Sequence, residues 1–103
     1  MTARKEKTAI PAKRSTSFDP EVALAFGTVF QSMRLERSYA QDAFALIAGI
    51  DRSYYGKLER GERQPTVGLL LRISKALGVS GAEIMAAAEQ LMAKKVRQTA
   101  RRR

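Results

Sequence analysis

The sequence predicts an all-α fold of five short helices, and three observations carry that expectation. Apolar residues recur at three- and four-residue steps in five successive segments. Each segment is preceded by a residue able to cap a helix: Asp19, Ser38, Asp51, Thr66 and Ser80. Three of them are followed by a glycine, at Gly49, Gly61 and Gly78, and glycine takes the left-handed conformation past a helix end at little cost.

The first helix is expected from Asp19 to about Arg37. Asp19 can cap it, Pro20 suits the first helical position, and Glu21 meets the positive end of the helix dipole. Val22, Phe26, Val29, Phe30 and Met33 supply the inner face. The second helix is expected from Tyr39 or Ala40 to Ala48, with Ser38 and Gln41 spaced for a capping box and Phe44, Ala45 and Ala48 inside. The third spans Arg52 to Arg60 behind Asp51, with Tyr55 and Leu58 turned inward. Gly56 costs that helix about 1 kcal/mol against alanine and marks a place where something can approach closely. The fourth runs from Val67 to Leu77 on Leu70, Ile73 and Leu77. The fifth follows Ser80, which with Glu83 makes a second capping box, and continues through Ile84, Met85, Ala88, Leu91 and Met92 to fray near Arg97.

Charge divides the chain further. Its 103 residues hold 19 Lys and Arg against 10 Asp and Glu, a net +9. Residues 1–17 have five basic residues and one acid, +4, and residues 93–103 have six basic residues and no acid, +6. The stretch 18–92 has eight basic and nine acidic residues, −1. The expected organisation is therefore a basic disordered arm over 1–17, one domain over 18–92 and a basic, flexible C-terminal tail over 93–103. Basic ends on a nearly neutral domain point to a polyanionic partner, most often nucleic acid; solubility alone is the alternative.

The chain has no cysteine and no histidine. Disulfides, thiolate metal sites and a histidine base are excluded, and no cofactor or metal is expected. An enzyme is the least expected class. The first 17 residues contain no apolar stretch of the signal-peptide kind, and no window approaches the roughly 18 uncharged apolar residues of a membrane span. A cytoplasmic protein without a membrane partner is expected.

The segment Gln41 to Gly61 carries the functional reading. Two short helices flank a turn containing Gly49, Ile50 and Asp51, and the second helix has a polar face of Arg52, Ser53 and Lys57, with two cations and no acid. A duplex-reading unit has this form: one helix crosses the backbone and the other enters the major groove. Arg and Lys match the guanine acceptors, and Ser can donate to several groups. The tyrosines Tyr54 and Tyr55 could instead stack single-stranded bases, although Tyr55 fits the core.

At these residues the chain resembles the Cro/CI-type, or Xre, helix-turn-helix family. The resemblance lies in Gln41-Asp42-Ala43-Phe44-Ala45, Gly49, Ser53-Tyr54-Tyr55, Leu58-Glu59-Arg60-Gly61 and Pro65, with Phe30 and Met33-Arg34 upstream and Leu70, Ala76-Leu77-Gly78-Val79 and Ile84 downstream. It covers residues 26 to about 86 and implies a five-helix, lambda-repressor-like domain that binds operator DNA, usually as a dimer, and acts on transcription as a repressor. By the same resemblance Gln41 would contact a phosphate, Arg52, Ser53 and Lys57 would face base edges, and Tyr54, Arg63 and Gln64 would touch the DNA backbone. Arg34 and Glu59 match a pair that ties the first helix to the third. The chain departs from the family at Ala40, where Ser or Thr is usual, and at Ser38, where Gly is frequent.

Double-stranded DNA and a second copy of the chain are the expected partners. The alternative is an antitoxin or adaptor on the same fold, whose task is to hold another protein. The dimer surface is expected on helix 5, where Ile84, Met85, Ala88, Leu91 and Met92 form a stripe longer than a four-helix core can cover. In the competing arrangement that stripe folds back over Val22 and Leu24 of the same chain.

Overall fold

A computed structural model describes residues 17–102, which form five helices. The expected arm falls, but for Ser17, outside the described residues. Helix α1 (Pro20–Glu36) starts where the sequence places it: the Asp19 carboxylate accepts from the N–H groups of Glu21 and Val22 at 3.1 and 3.4 Å. Helix α2 (Gln41–Ala48) ends on Gly49 at φ 72°. Helix α3 (Arg52–Glu59) is capped by Asp51, which accepts from Tyr54 N–H at 3.1 Å. Helix α4 (Val67–Leu77) is capped by Thr66 and closed by Gly78. Helix α5 (Gly81–Arg102) opens on a reciprocal box, in which Ser80 Oγ accepts from Glu83 N–H at 3.0 Å and Glu83 Oε1 accepts from Ser80 N–H at 3.1 Å.

The start of α2 departs from the expectation. Its N-cap is Ala40, with no side-chain cap, and Ser38 lies at φ 60°. Ser38 is the left-handed residue past the end of α1, where Tyr39 N–H returns to the Arg34 carbonyl at 3.2 Å. Glycine is the usual occupant of such a position. The serine therefore terminates α1 rather than capping α2, and Gln41 becomes the first residue of α2.

The core is apolar and aromatic. Phe30, Phe44, Tyr55, Leu58, Ile73 and Ile84 are the largest fully buried side chains. Phe44 stacks at tilted angles between Tyr39 and Tyr55, with ring centroids 5.5 and 5.4 Å away, a geometry aromatic rings favour. Arg37 joins two helix ends, since its Nε donates to the Leu77 carbonyl at 2.8 Å where α4 leaves carbonyls without helical partners.

Helix α5 lies antiparallel along α1. Ala87 shares a groove with Met33 and Glu36, and Lys95 shares one with Glu21 and Leu24. Two expectations are corrected here. Ile84 and Ala88 are 0% and 1% exposed and Leu91 and Met92 pack half-buried against the core, so the stripe expected to lie uncovered is largely covered by its own chain. Of the five residues expected there, Met85 alone is an exposed large apolar side chain. The fold-back arrangement describes α5, although Leu24 itself stays 52% exposed. The helix also does not stop near Arg97 ahead of a loose tail; its backbone continues to Arg102.

Candidate nucleic-acid interface

The turn between α2 and α3 is held from three sides. Gly49 supplies the positive φ, the Ile50 N–H returns to the Ala45 carbonyl at 2.9 Å, and Arg72 of α4 donates to the Gly49 carbonyl at 3.1 Å. Ile50 itself is buried. A turn fixed in this way sets the angle between the two helices. Helix α3 then divides cleanly: Tyr55, Gly56, Leu58 and Glu59 are buried, Arg52 and Ser53 are exposed, and Tyr54 and Lys57 are half-buried.

One carboxylate fastens the back of α3. Glu59 accepts from Arg34 Nε at 2.6 Å, Arg34 Nη2 at 2.9 Å, Tyr55 Oη at 2.6 Å and Gln41 Nε2 at 3.0 Å. Arg34 also donates through Nη1 to the Tyr39 carbonyl at 2.7 Å. A single acceptor thus joins α1, α2 and α3. Burial on its own would raise the Glu59 carboxyl, but the hydrogen bonds from Arg34, Tyr55 and Gln41 outweigh it and hold the group below the usual carboxylate range. Burial, followed by the bond to Glu59, pushes the Tyr55 phenol up. The bond to Glu59 likewise raises Arg34 against the opposing effect of burial. All three groups keep the protonation states that the network needs.

The residues expected at the interface occupy different settings. Arg52, Ser53 and Lys57 share the outward side of α3. The Arg52 side chain is 73% exposed and reaches only the edge of an ion pair, 4.0 Å from Asp42, so solvent screens that contact. Arg63 is exposed and donates to the Glu62 carbonyl at 3.0 Å. Gln64 is half-buried, and its Oε1 accepts the Asp19 N–H at 2.7 Å. Gln41 stands at the head of α2 with its side-chain amide committed to Glu59. Because Ala40 provides no side-chain acceptor, the first N–H groups of α2 have none from a cap. Arg34 and Glu59 are brought together, as described above.

A residue that sequence reasoning passed over is Gly27. A Cβ there would lie 2.5 Å from the Leu58 carbonyl oxygen and 2.6 Å from that of Glu59. The last turn of α3 therefore crosses α1 on bare backbone. The available signal was a glycine inside a periodic helix, which costs about 1 kcal/mol unless packing needs it. At Gly56 the close neighbours are instead the side-chain tips of Arg60 and Gln41, at 3.1 and 3.6 Å.

Two short helices at a fixed turn, the second cationic outside and tied to the first helix behind, define a helix-turn-helix unit. The model of the HTH_3 helix-turn-helix family matches residues 30–84, just over half of the chain. The chain belongs to this family, the Xre type of helix-turn-helix domain. It is 37% identical over 59 residues to the HTH-type transcriptional regulator y4dJ of Sinorhizobium fredii, covering 57% of this chain and 77% of that protein. It is 30% identical over 71 residues to the control protein C.MunI of a Mycoplasma species, covering 68% of this chain and 96% of that one. Among solved structures it resembles the clp gene regulator ClgR of Corynebacterium glutamicum with a TM-score of 0.72 and 27% identity, over 76% of this chain and 83% of ClgR. It resembles the restriction-modification controller C.AhdI of Aeromonas hydrophila with a TM-score of 0.58 and 31% identity, over 60% of this chain and 94% of that one. No helix among the described residues is long and apolar enough to cross a membrane.

Proposed function

We propose that the protein is a sequence-specific regulator of transcription that places α3 in the major groove of duplex DNA and acts as a repressor by occupying its site. The observation that carries this reading is the outward side of α3, with Arg52, Ser53 and Lys57 held from behind by Glu59. A base-reading group must be oriented before it meets DNA, and the three-helix tie supplies that orientation. Arg52 and Lys57 match guanine acceptors, and Ser53 suits a second polar edge. Tyr54 and Arg63 flank this face and are assigned to phosphates, with the head of α2 at Gln41. The Gln64 side chain supports the head of α1 instead.

One such unit reads few base pairs, too few to be found among the competing sites of a genome. We assign the protein to a homodimer that reads two half-sites about 34 Å apart. With Ile84 and Ala88 in the core, the surface that supports pairing is the apolar strip of Val67, Leu71 and Met85, which are 72%, 53% and 42% exposed. Leu71 leans on Gly81, where an added Cβ would lie 2.9 Å from Leu71 Cδ2. Val67 and Met85 continue the strip, one turn before Leu71 on α4 and one turn after Gly81 on α5.

Selection of bound sequences from random duplex DNA tests the reading directly. Arg52→Ala or Lys57→Ala should each cost about 1–3 kcal/mol of binding and relax preference at one position. If both variants keep the affinity and the preference of the parent, α3 does not read the groove. A promoter reporter carrying the selected site tests repression.

A further inference from the structure

Only the first part of α5 is used by the core. Ile84 and Ala88 are buried and Leu91 and Met92 half-buried, whereas Lys94, Lys95 and Val96 are exposed. The helix nevertheless continues to Arg102. At 1.5 Å per residue, about 10 Å of helix lies beyond Lys95. From Lys94 onward the helix contains Lys94, Lys95, Arg97, Arg101 and Arg102 and no acid. Five cations within nine residues of sequence, with no acid among them, repel one another. A polyanion relieves that repulsion.

The place of this end in the fold selects the polyanion. Lys95 shares a groove with Glu21, Leu24 and Ala25 in the first turns of α1. Those turns are fastened to the loop that follows α3. Asp19 N–H donates to Gln64 Oε1 at 2.7 Å, and a Cβ on Gly61 would lie 3.1 Å from Leu24 Cα. Exposed Arg63 belongs to the same loop. The basic end of α5, the head of α1 and the loop after α3 are therefore consecutive neighbours. This places Lys95, and the helix backbone that continues from it, beside the helix-turn-helix unit.

We propose that residues 94–102 are a helical arm, continuous with the core, that binds the phosphate backbone of the duplex beside Arg63. The inference rests on the duplex-reading role proposed above and adds a contact that α3 does not make. A loose basic tail would carry the same charge. The arm differs in that its order contributes to binding as well as its charge, because a helix already fixed to the core loses little freedom on the DNA.

The test uses the full chain, a duplex recovered from random-sequence selection, an unrelated duplex of equal length, and vesicles of phosphatidylcholine and phosphatidylglycerol. One variant replaces Lys94, Lys95, Arg97, Arg101 and Arg102 with Gln. It should flatten the slope of log affinity against log salt by about 0.9 for each phosphate it no longer neutralises. A second variant, Val96→Pro, interrupts the helix and keeps every charge. It should weaken both duplexes by roughly threefold or more, with their ratio unchanged. If Val96→Pro lowers the melting temperature, Gln98→Pro repeats the test further from the core. A chain that binds the selected duplex with an unchanged slope in the Gln variant overturns the arm and leaves the α3 reading standing. Parental affinity in the helix-breaking variant overturns the ordered arm. Vesicle binding that the Gln variant loses, with duplex affinity unmoved, assigns the segment to a membrane and overturns the proposal. A full chain that binds no duplex overturns both readings.

Discussion

Glu59→Ala removes the acceptor on which three helices converge. The Glu59 side chain is 2% exposed and that of Arg34 is 7% exposed, so neither charge can turn to solvent without moving backbone. Truncation leaves the guanidinium buried with the Tyr39 carbonyl as its remaining described acceptor, and takes away the partner of the Tyr55 hydroxyl and the Gln41 amide. Removing one member of a buried pair costs about 3–5 kcal/mol, because the other charge is stranded. A small domain is stable by about 5–15 kcal/mol in all. At this size each kcal/mol moves Tm by roughly 4–8 °C, so a drop of at least about 12 °C is expected. Thermal unfolding followed by circular dichroism measures it, with Glu62→Ala as the control. Glu62 pairs with Arg60 at 2.8 Å, but the two side chains are 49% and 55% exposed; solvent screens such a pair, and Tm should barely change. The double variant Arg34→Met, Glu59→Leu should recover much of the loss, since replacing both charges by apolar groups is often close to neutral. Equal Tm shifts for Glu59→Ala and Glu62→Ala, or a strictly additive double-variant cycle, would refute the reasoning.

Four further outcomes follow from the same geometry. Glu59 has a folded-state pKa below its unfolded value of 4.5. Its contribution is therefore fully present above about pH 4.5 and is lost as pH falls through the lower folded value, and denaturant titrations between about pH 7 and pH 3 should show the parent losing more stability than Glu59→Gln. Tyr55 is shifted the other way from 10.0, so its contribution is full below that pH and is lost as pH rises toward the higher folded value; the absorbance difference between parent and Tyr55→Phe should show no phenolate from Tyr55 at pH 10.0 while the chain is folded. Gly27→Ala drives a methyl group into the Leu58 and Glu59 carbonyls and should cost about 1–3 kcal/mol in chemical denaturation, lowering duplex affinity as α3 shifts. Leu71→Glu and Met85→Glu should each give a monomer in sedimentation equilibrium with Tm nearly unchanged, whereas a parent that is monomeric throughout the micromolar range removes the pairing surface.

What the sequence reveals and what it conceals divide on physical grounds. Asp19, Asp51, Thr66 and Ser80 act within a turn of themselves, so their caps are readable one residue at a time. Ser38 carries the same chemistry and does not cap, because its place is decided by the way α1 ends: the Tyr39 N–H returns to the Arg34 carbonyl and the serine takes φ 60°. The resemblance already held the clue, since the family frequently has glycine at that position. The outward side of α3 required only the helical period, and Arg52, Ser53 and Lys57 could be named from it.

Pairings are less legible than faces. The period of α5 identifies Ile84, Ala88, Leu91 and Met92 as one stripe, but it cannot say whether α1 or a second copy covers them, and here α1 and the core do. Gly27 reads as a weak point in α1 until α3 is laid across it, when it becomes the position that lets the two backbones touch. Glu59 is the extreme case. Its partners lie 25, 18 and 4 residues away, on three elements, and no local rule links them; the resemblance supplied Arg34 and left Tyr55 and Gln41 in this role unassigned. A buried carboxylate with four donors is also the part of the site least tolerant of change, since losing any donor leaves the rest to offset its desolvation. The outer side of α3 carries no such tie, whereas the network behind it has little room to vary. Substitutions on the outer side of α3 should therefore alter which sequence is bound with little change in Tm, and substitutions at Arg34, Tyr55 or Glu59 should lower Tm and weaken every duplex alike.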